Sequence, residues 1–169
     1  GFDVTAADPS PGMLRKAHEV AEQYGVSDKI QFERADFLTL PDYVDGTFDA
    51  VITKGNALPH LLLDDEIEQT VRIFYNFLRP GGFLVIGMRD FGPFMEARPR
   101  FLPGFIHDLP DNGELITFDI WEWEDGPPVI ATQKLYIVKS EYGKRYQTLK
   151  QWVNYRPLST DEVKVVLRE

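Results

Sequence analysis

Apolar positions along this chain change period several times, and each change marks an element. Phe2, Val4, Ala6 and Ala7 make a short strand that Asp8 closes. Met13, Leu14, Ala17, Val20, Ala21 and Tyr24 then fall at helical spacing. Ser10 is a good cap for that helix, Pro11 suits its first position and Gly25 stops it. Residues 29–37 read as a second strand, with Asp36 near its end. A polar connection over 41–46 leads to a buried strand at 48–53, which runs into Gly55-Asn56. Asp64, Asp65 and Glu66 suit the start of a helix, and Ile67, Val71, Phe74 and Leu78 form its apolar stripe. Arg79-Pro80-Gly81-Gly82 ends that helix. Residues 83–88 are nearly all apolar, as in a central strand of a parallel sheet.

Strand, helix, strand, strand, helix, strand in that order predicts an α/β fold with right-handed connections. Residues 91–110 show no period and read as a loop with at most a short helix. Three β-like runs follow, at 115–124, 129–139 and 145–155. Asp125-Gly126-Pro127-Pro128 and Glu141-Tyr142-Gly143-Lys144 are their turns. Together they predict a three-stranded antiparallel meander, with Phe118, Ile120, Leu135, Ile137, Leu149, Trp152 and Val153 on an apolar face. Trp121 and Trp123 offer that strand a way to face a partner subunit. Ser159-Thr160-Asp161-Glu162 is a capping box that opens a final helix.

At 169 residues the chain is long enough for one domain with a real core. The 43% hydrophobic and 13% aromatic shares indicate a globular protein. A net charge of −9 argues against nucleic acid and against anionic membrane surfaces as partners. With no cysteine, disulfides, thiolate catalysis and zinc–thiolate sites are excluded, and no metal site is expected. No apolar run approaches the ~20 residues of a membrane span. The start, Gly1-Phe2-Asp3-Val4, lacks both the basic and the long apolar region of a signal peptide, and it lacks Met. It reads as the interior of a longer chain, and the cytoplasm is the expected compartment.

Candidate chemistry gathers at three strand ends. Asp8 could accept from ribose hydroxyls, and Asp36 from a base amino group with Phe37 covering the ring. Gly55 permits close backbone approach, and Asn56 offers a donor and an acceptor. Each has a plainer alternative: a solvated acid before a helix, a loop acid beside a core Phe, and a turn that tolerates Asn.

Asp8-Pro9-Ser10-Pro11-Gly12-Met13-Leu14, Ala35-Asp36-Phe37, Phe48-Asp49-Ala50-Val51 and Leu78-Arg79-Pro80-Gly81-Gly82 resemble successive motifs of class I S-adenosylmethionine-dependent methyltransferases. Gly55-Asn56-Ala57-Leu58-Pro59-His60-Leu61 and Arg89-Asp90-Phe91 resemble the glycine/sarcosine N-methyltransferase group. The resemblance implies a Rossmann-like sheet, incomplete here, with the antiparallel segment inserted. It implies a partial S-adenosylmethionine-binding core at 1–90, an acceptor-side insertion at 91–157 and the start of a core helix at 158–169. It also implies that Asp8, Pro9 and Met13 hold the ribose and adenosine, and that Asp36 and Phe37 face the adenine. Gly55 and Asn56 would border the methionine part and the methyl group, with Asn56 at the catalytic point. Arg89 would bind an acceptor carboxylate, with His60 beside it; the plain rival for Arg89 is a surface ion pair with Asp90 or Glu96. Tyr142, Tyr146 and Tyr155 could reach a small-molecule acceptor from the insertion, although a core or hairpin role suits each as well. The family's Gly-rich loop and its strand do not occur in this sequence, nor do its last two strands. The expectation is therefore a fragment of a domain of ~250 residues, or a sheet completed by another segment or by a homo-oligomer. Two other functions stay open on the residues: a nicotinamide-dependent oxidoreductase, and a non-catalytic binding or regulatory module on the same fold.

Overall fold

Ser10 starts the first helix as its chemistry allows. Its side-chain oxygen accepts from the Met13 amide at 3.3 Å, Pro11 stands first in the helix, and Gly25 takes φ +65° just beyond it. The chain, described here from a computed structural model, is defined over residues 1–141 and 145–168, except for the side chains of Asp111 and Glu141. The turn expected at 141–144, with Tyr142, falls mostly outside the described residues. Element order is β1 Val4–Ala7, α1 Pro11–Gln23, β2 Ile30–Glu33, β3 Phe48–Thr53, α2 Asp64–Phe77, β4 Leu78–Ile86, α3 Gly92–Ala97, β5 Phe101–Leu109, β6 Gly113–Glu124, β7 Ile130–Glu141, β8 Arg145–Tyr155 and α4 Thr160–Val166. The chain divides into two units, one of Gly1–Ile52 with Asp65–Val85, the other of Thr53–Asp64 with Ile86–Glu169.

The first unit carries the α/β part. β1 pairs in parallel with β2, Val4 opposite Ile30 and Ala7 opposite Glu33. β3 is hydrogen-bonded to β4, and the two pairs share no ladder. Ala21, Ala35, Val44, Ile67, Ile73 and Phe74 are buried here. The Phe37 ring meets Phe74 edge-on at 5.3 Å. β4 begins at Leu78, earlier than the apolar run suggests, so Leu78 belongs to the strand and not to the helical stripe. Gly82 lies so close to Asp49 and Arg79 that a Cβ there would sit 3.1 and 3.0 Å from their carbonyl oxygens. The expected full burial of 83–88 is met on one face only: Leu84 and Ile86 are half-buried, while Phe83 is 72% exposed.

The second unit is built on an antiparallel sheet in the order β5-β6-β7-β8. β6, β7 and β8 are the expected meander. β5 is a fourth strand, from a stretch that the sequence suggests is a loop, and α3 precedes it. Its pairing with β6 shifts register between Pro103 and Ile106, which breaks the alternation that would reveal a strand. Pro103 is tolerated because β5 lies at the sheet edge. The buried face also differs from expectation. Phe118 pairs with Tyr136 and Ile120 with Lys134, whereas Leu135 pairs with Asp119 and Ile137 with Thr117. Phe118 and Ile120 therefore leave the sheet on the side opposite to Leu135 and Ile137. The buried side is that of Trp121, Ala131 and Tyr155, which pack with Phe91, Met88, Phe94, Leu102, Trp123 and Val153. Trp121 is 1% exposed, so it belongs to this core and does not face a partner.

α4 opens with the expected capping box: Glu162 N donates to Ser159 Oγ, and Glu162 accepts from Ser159 N. Phe91 N donates to Leu158 O, and Asp90 Oδ1 accepts from Gly92 N and Thr160 N, which ties the start of α3 to α4. Among the described residues no helix is long and apolar enough to cross a membrane.

Candidate functional site

Within the first unit, Asp8 follows directly on β1, and its amide continues the ladder to Glu33 O. One carboxylate oxygen, Oδ1, accepts from Ser10 N at 2.8 Å and turns the chain into α1. Oδ2 accepts no hydrogen bond among the described residues. Pro9 and Met13 stand exposed on the same strand-to-helix turn, Met13 at 59%.

Asp36 lies past the end of β2 and not within the strand. Its Oδ1 accepts from the Thr39 hydroxyl at 2.8 Å, the Thr39 amide at 2.9 Å and the Leu38 amide at 3.0 Å. These bonds, the Thr39 hydroxyl first, hold its carboxyl below the usual carboxylate range and keep it ionised. Oδ2 is left to accept from outside the turn. Phe37 is half-buried against Phe74, which is the packing role that the sequence left as its plainer alternative.

Within the second unit, Gly55 and Asn56 both take left-handed backbone, φ +75° and +63°. Gly serves the first without strain, and Asn is among the few side chains that tolerate the second. Gly87 N donates to Thr53 O at 2.7 Å, and Asn56 N to Gly87 O at 3.4 Å. The Asn56 side-chain oxygen then accepts from Arg89 N at 2.5 Å. The turn thus fixes where Arg89 leaves the backbone. The Arg89 guanidinium rests on aromatic rings, its carbon 5.1 Å from the Phe94 centroid, 5.8 Å from Trp121 and 5.9 Å from Phe91. Among the described residues no carboxylate forms an ion pair with it. Asp90 is spent on the Gly92 and Thr160 amides, so the surface pair that rivals a binding role is not formed with it.

His60 lies at the end of a short turn, Leu58–His60, exposed at one edge and packed on Tyr155 with ring centroids 4.8 Å apart. Partial burial pushes its imidazole below its usual pKa, so it is neutral at neutral pH. Arg156 N donates to Pro59 O at 2.8 Å, holding this turn against the end of β8. Tyr155 is buried at 8% exposure, and burial raises its phenol; the Arg89 guanidinium pulls the other way and the Asp119 carboxylate adds to the rise. Tyr146 is 64% exposed on β8. The sequence does not single out Asp119, and it offers Trp121 only as a residue that could face a partner, although an acid two residues from a Trp within a strand puts both on one face. Among the described residues no group of His, Asp and Glu could hold a metal ion.

Comparison with known proteins follows the same lines. The family model described as "Methyltransferase domain" matches residues 1–82. The chain is 32% identical over 171 residues to a glycine/sarcosine/dimethylglycine N-methyltransferase of Actinopolyspora halophila, covering 100% of this chain and 27% of that protein. It is 32% identical over 96 residues to a glycine/sarcosine N-methyltransferase of Halorhodospira halochloris, covering 57% of this chain and 35% of that protein. The chain thus spans well under half the length of these curated relatives. Among solved structures, an S-adenosylmethionine-dependent methyltransferase from Clostridium acetobutylicum superposes with a TM-score of 0.76 at 16% identity, covering 97% of this chain and 61% of that one. That likeness establishes the α/β, Rossmann-like fold.

Proposed function

We propose that this chain, whose residues 1–82 match the methyltransferase-domain model and whose fold is that of S-adenosylmethionine-dependent methyltransferases, serves methyl transfer to a small amine that carries a carboxylate, of the glycine or sarcosine kind. The observation that carries this reading is Arg89: a guanidinium seated on three aromatic rings, held through its amide by Asn56, with no carboxylate paired to it among the described residues. A planar fork of donors in such surroundings suits an incoming carboxylate.

The first unit supplies groups that fit the cofactor. Asp8 keeps one oxygen free for ribose hydroxyls, and Asp36 is an ionised acceptor with one oxygen free for the adenine amino group. Pro9 and Met13 offer exposed apolar contacts beside Asp8, and Phe37 offers the face not packed on Phe74. When bound, S-adenosylmethionine supplies a sulfonium methyl group. Gly55 and Asn56 serve this reaction by position: Gly55 leaves room for a ligand, since nothing lies within 4 Å of where its Cβ would be. Neutral His60 can accept a hydrogen bond from the acceptor without competing for its carboxylate. Displacement at a sulfonium carbon asks chiefly for alignment of nucleophile and leaving group.

Transfer of labelled methyl from S-adenosylmethionine to glycine, sarcosine and methylamine tests the reading. Transfer to glycine or sarcosine with little to methylamine supports it. Equal turnover of methylamine, which has no carboxylate, or turnover of none of the three, overturns it.

A further inference from the structure

The buried face of the β5–β8 sheet holds two polar atoms with nothing to bond to. Asp119 Oδ1 and Trp121 Nε1 are both shut off from solvent, and neither has a hydrogen-bond partner among the described residues. Such groups are rare in native proteins because an unmade bond at a buried polar atom is costly. The two residues stand two apart on β6, so their side chains leave the same face of the strand. Their hydrogen-bonding characters are opposite: a carboxylate oxygen only accepts, an indole N–H only donates.

Both lie among the groups already placed around Arg89. The Arg89 guanidinium carbon is 5.8 Å from the Trp121 ring, and Tyr155 stacks on Trp121 at 5.9 Å. The Tyr155 hydroxyl feels the guanidinium of Arg89 and the carboxylate of Asp119 at once. One aromatic-walled place therefore presents a fixed cation, an uncommitted N–H donor and an uncommitted anionic acceptor.

We propose that Asp119 and Trp121 form a recognition subsite for both ends of a small zwitterionic amino acid. Asp119 accepts N–H bonds from the amino group, and Trp121 Nε1–H donates, together with Arg89, to the carboxylate. The inference rests on the amino-acid acceptor reading above and adds what selects the amino end. Arg89 alone would take any small carboxylate; Asp119 makes acetate a poor occupant, because with acetate's carboxylate on Arg89 its methyl group faces Asp119 and leaves that buried acceptor unpaired.

Calorimetric titration of glycine, acetate and methylamine in the presence of S-adenosylhomocysteine tests the subsite, and the native protein alone gives a first answer. Glycine is expected to bind about tenfold or more tighter than acetate. Asp119→Asn, which keeps the side chain's size, is expected to weaken glycine by about tenfold or more while acetate holds or tightens. Trp121→Phe is expected to weaken glycine and acetate alike. A merely structural Asp119 would not move the two ligands in opposite directions. Acetate binding as tightly as glycine to the native protein leaves Arg89 its role and overturns the Asp119 subsite. Unchanged glycine affinity in Asp119→Asn, or equal losses of glycine and acetate, overturns it as well. If neither glycine nor acetate binds the native protein, the amino-acid reading itself falls and the subsite falls with it.

Discussion

The backbone amide of Arg89 donates to the side-chain oxygen of Asn56 across 2.5 Å, joining residues 33 apart in sequence. Asn56 holds this bond from left-handed backbone, φ +63°. Two costs therefore meet at one position: Ala would lose the bond, about 1 kcal/mol, and would pay roughly 1–2 kcal/mol for the backbone. Asp would keep an acceptor and tolerate the backbone. Asn56→Ala should lower turnover by about tenfold or more and raise the acceptor KM, with cofactor affinity little changed; Asn56→Asp should lose less. Steady-state kinetics on both substrates checks this, and equal turnover in Asn56→Ala would leave Asn56 a turn residue only.

Arg89→Lys keeps the charge but replaces the planar fork by a point donor. For an acceptor bound through its carboxylate, KM should rise about tenfold or more, while melting temperature stays near the native value because Arg89 is exposed. Unchanged KM for glycine or sarcosine would contradict the carboxylate role.

Glu162 makes the α4 cap pH-sensitive. Burial raises its carboxyl, but the Ser159 amide and hydroxyl and the Arg156 guanidinium outweigh that and leave it below its ordinary value of 4.5. A depressed folded-state pKa gives stability that is present above the unfolded value and lost as pH falls through the folded one. Melting temperature should therefore drop on acidification from pH 5 toward pH 3 more steeply in the native protein than in Glu162→Gln, which has no carboxylate there to titrate. Parallel acid profiles in the two proteins would refute this.

Gly104 sits in the irregular part of β5, where a Cβ would collide with Thr117 Oγ1 and lie 2.6 Å from the Thr117 carbonyl oxygen. Gly104→Ala should destabilise the protein by roughly 1–3 kcal/mol, read as a lower midpoint in urea. Thr117→Ser keeps the hydroxyl that accepts from Phe105 N at 3.1 Å and should change stability far less.

What local chemistry specifies was legible in the sequence. Ser10 with Pro11, Gly25, and Ser159 with Glu162 each act within a few residues, and each caps or stops the element expected of it. What depends on pairing across the sheet was not. β5 was hidden by the irregularity at Pro103 and Gly104, and the buried face of the meander by a register that only the assembled strands reveal. Arg89 could be picked out by its place after β4, but its aromatic seat could not, because Phe91, Phe94 and Trp121 come together only through the fold. Asp119 was overlooked for the same reason: that its Oδ1 has no partner among the described residues is something sequence does not record.

Asp8 offers the most direct test of the account as a whole. Titration calorimetry of S-adenosylmethionine should show binding by the native protein. Asp8→Asn, which retains an oxygen for the Ser10 amide but not the carboxylate, should bind about tenfold or more weakly with an unchanged melting temperature. No binding by the native protein, or equal binding by the variant, would contradict the assignment of this strand end to the cofactor.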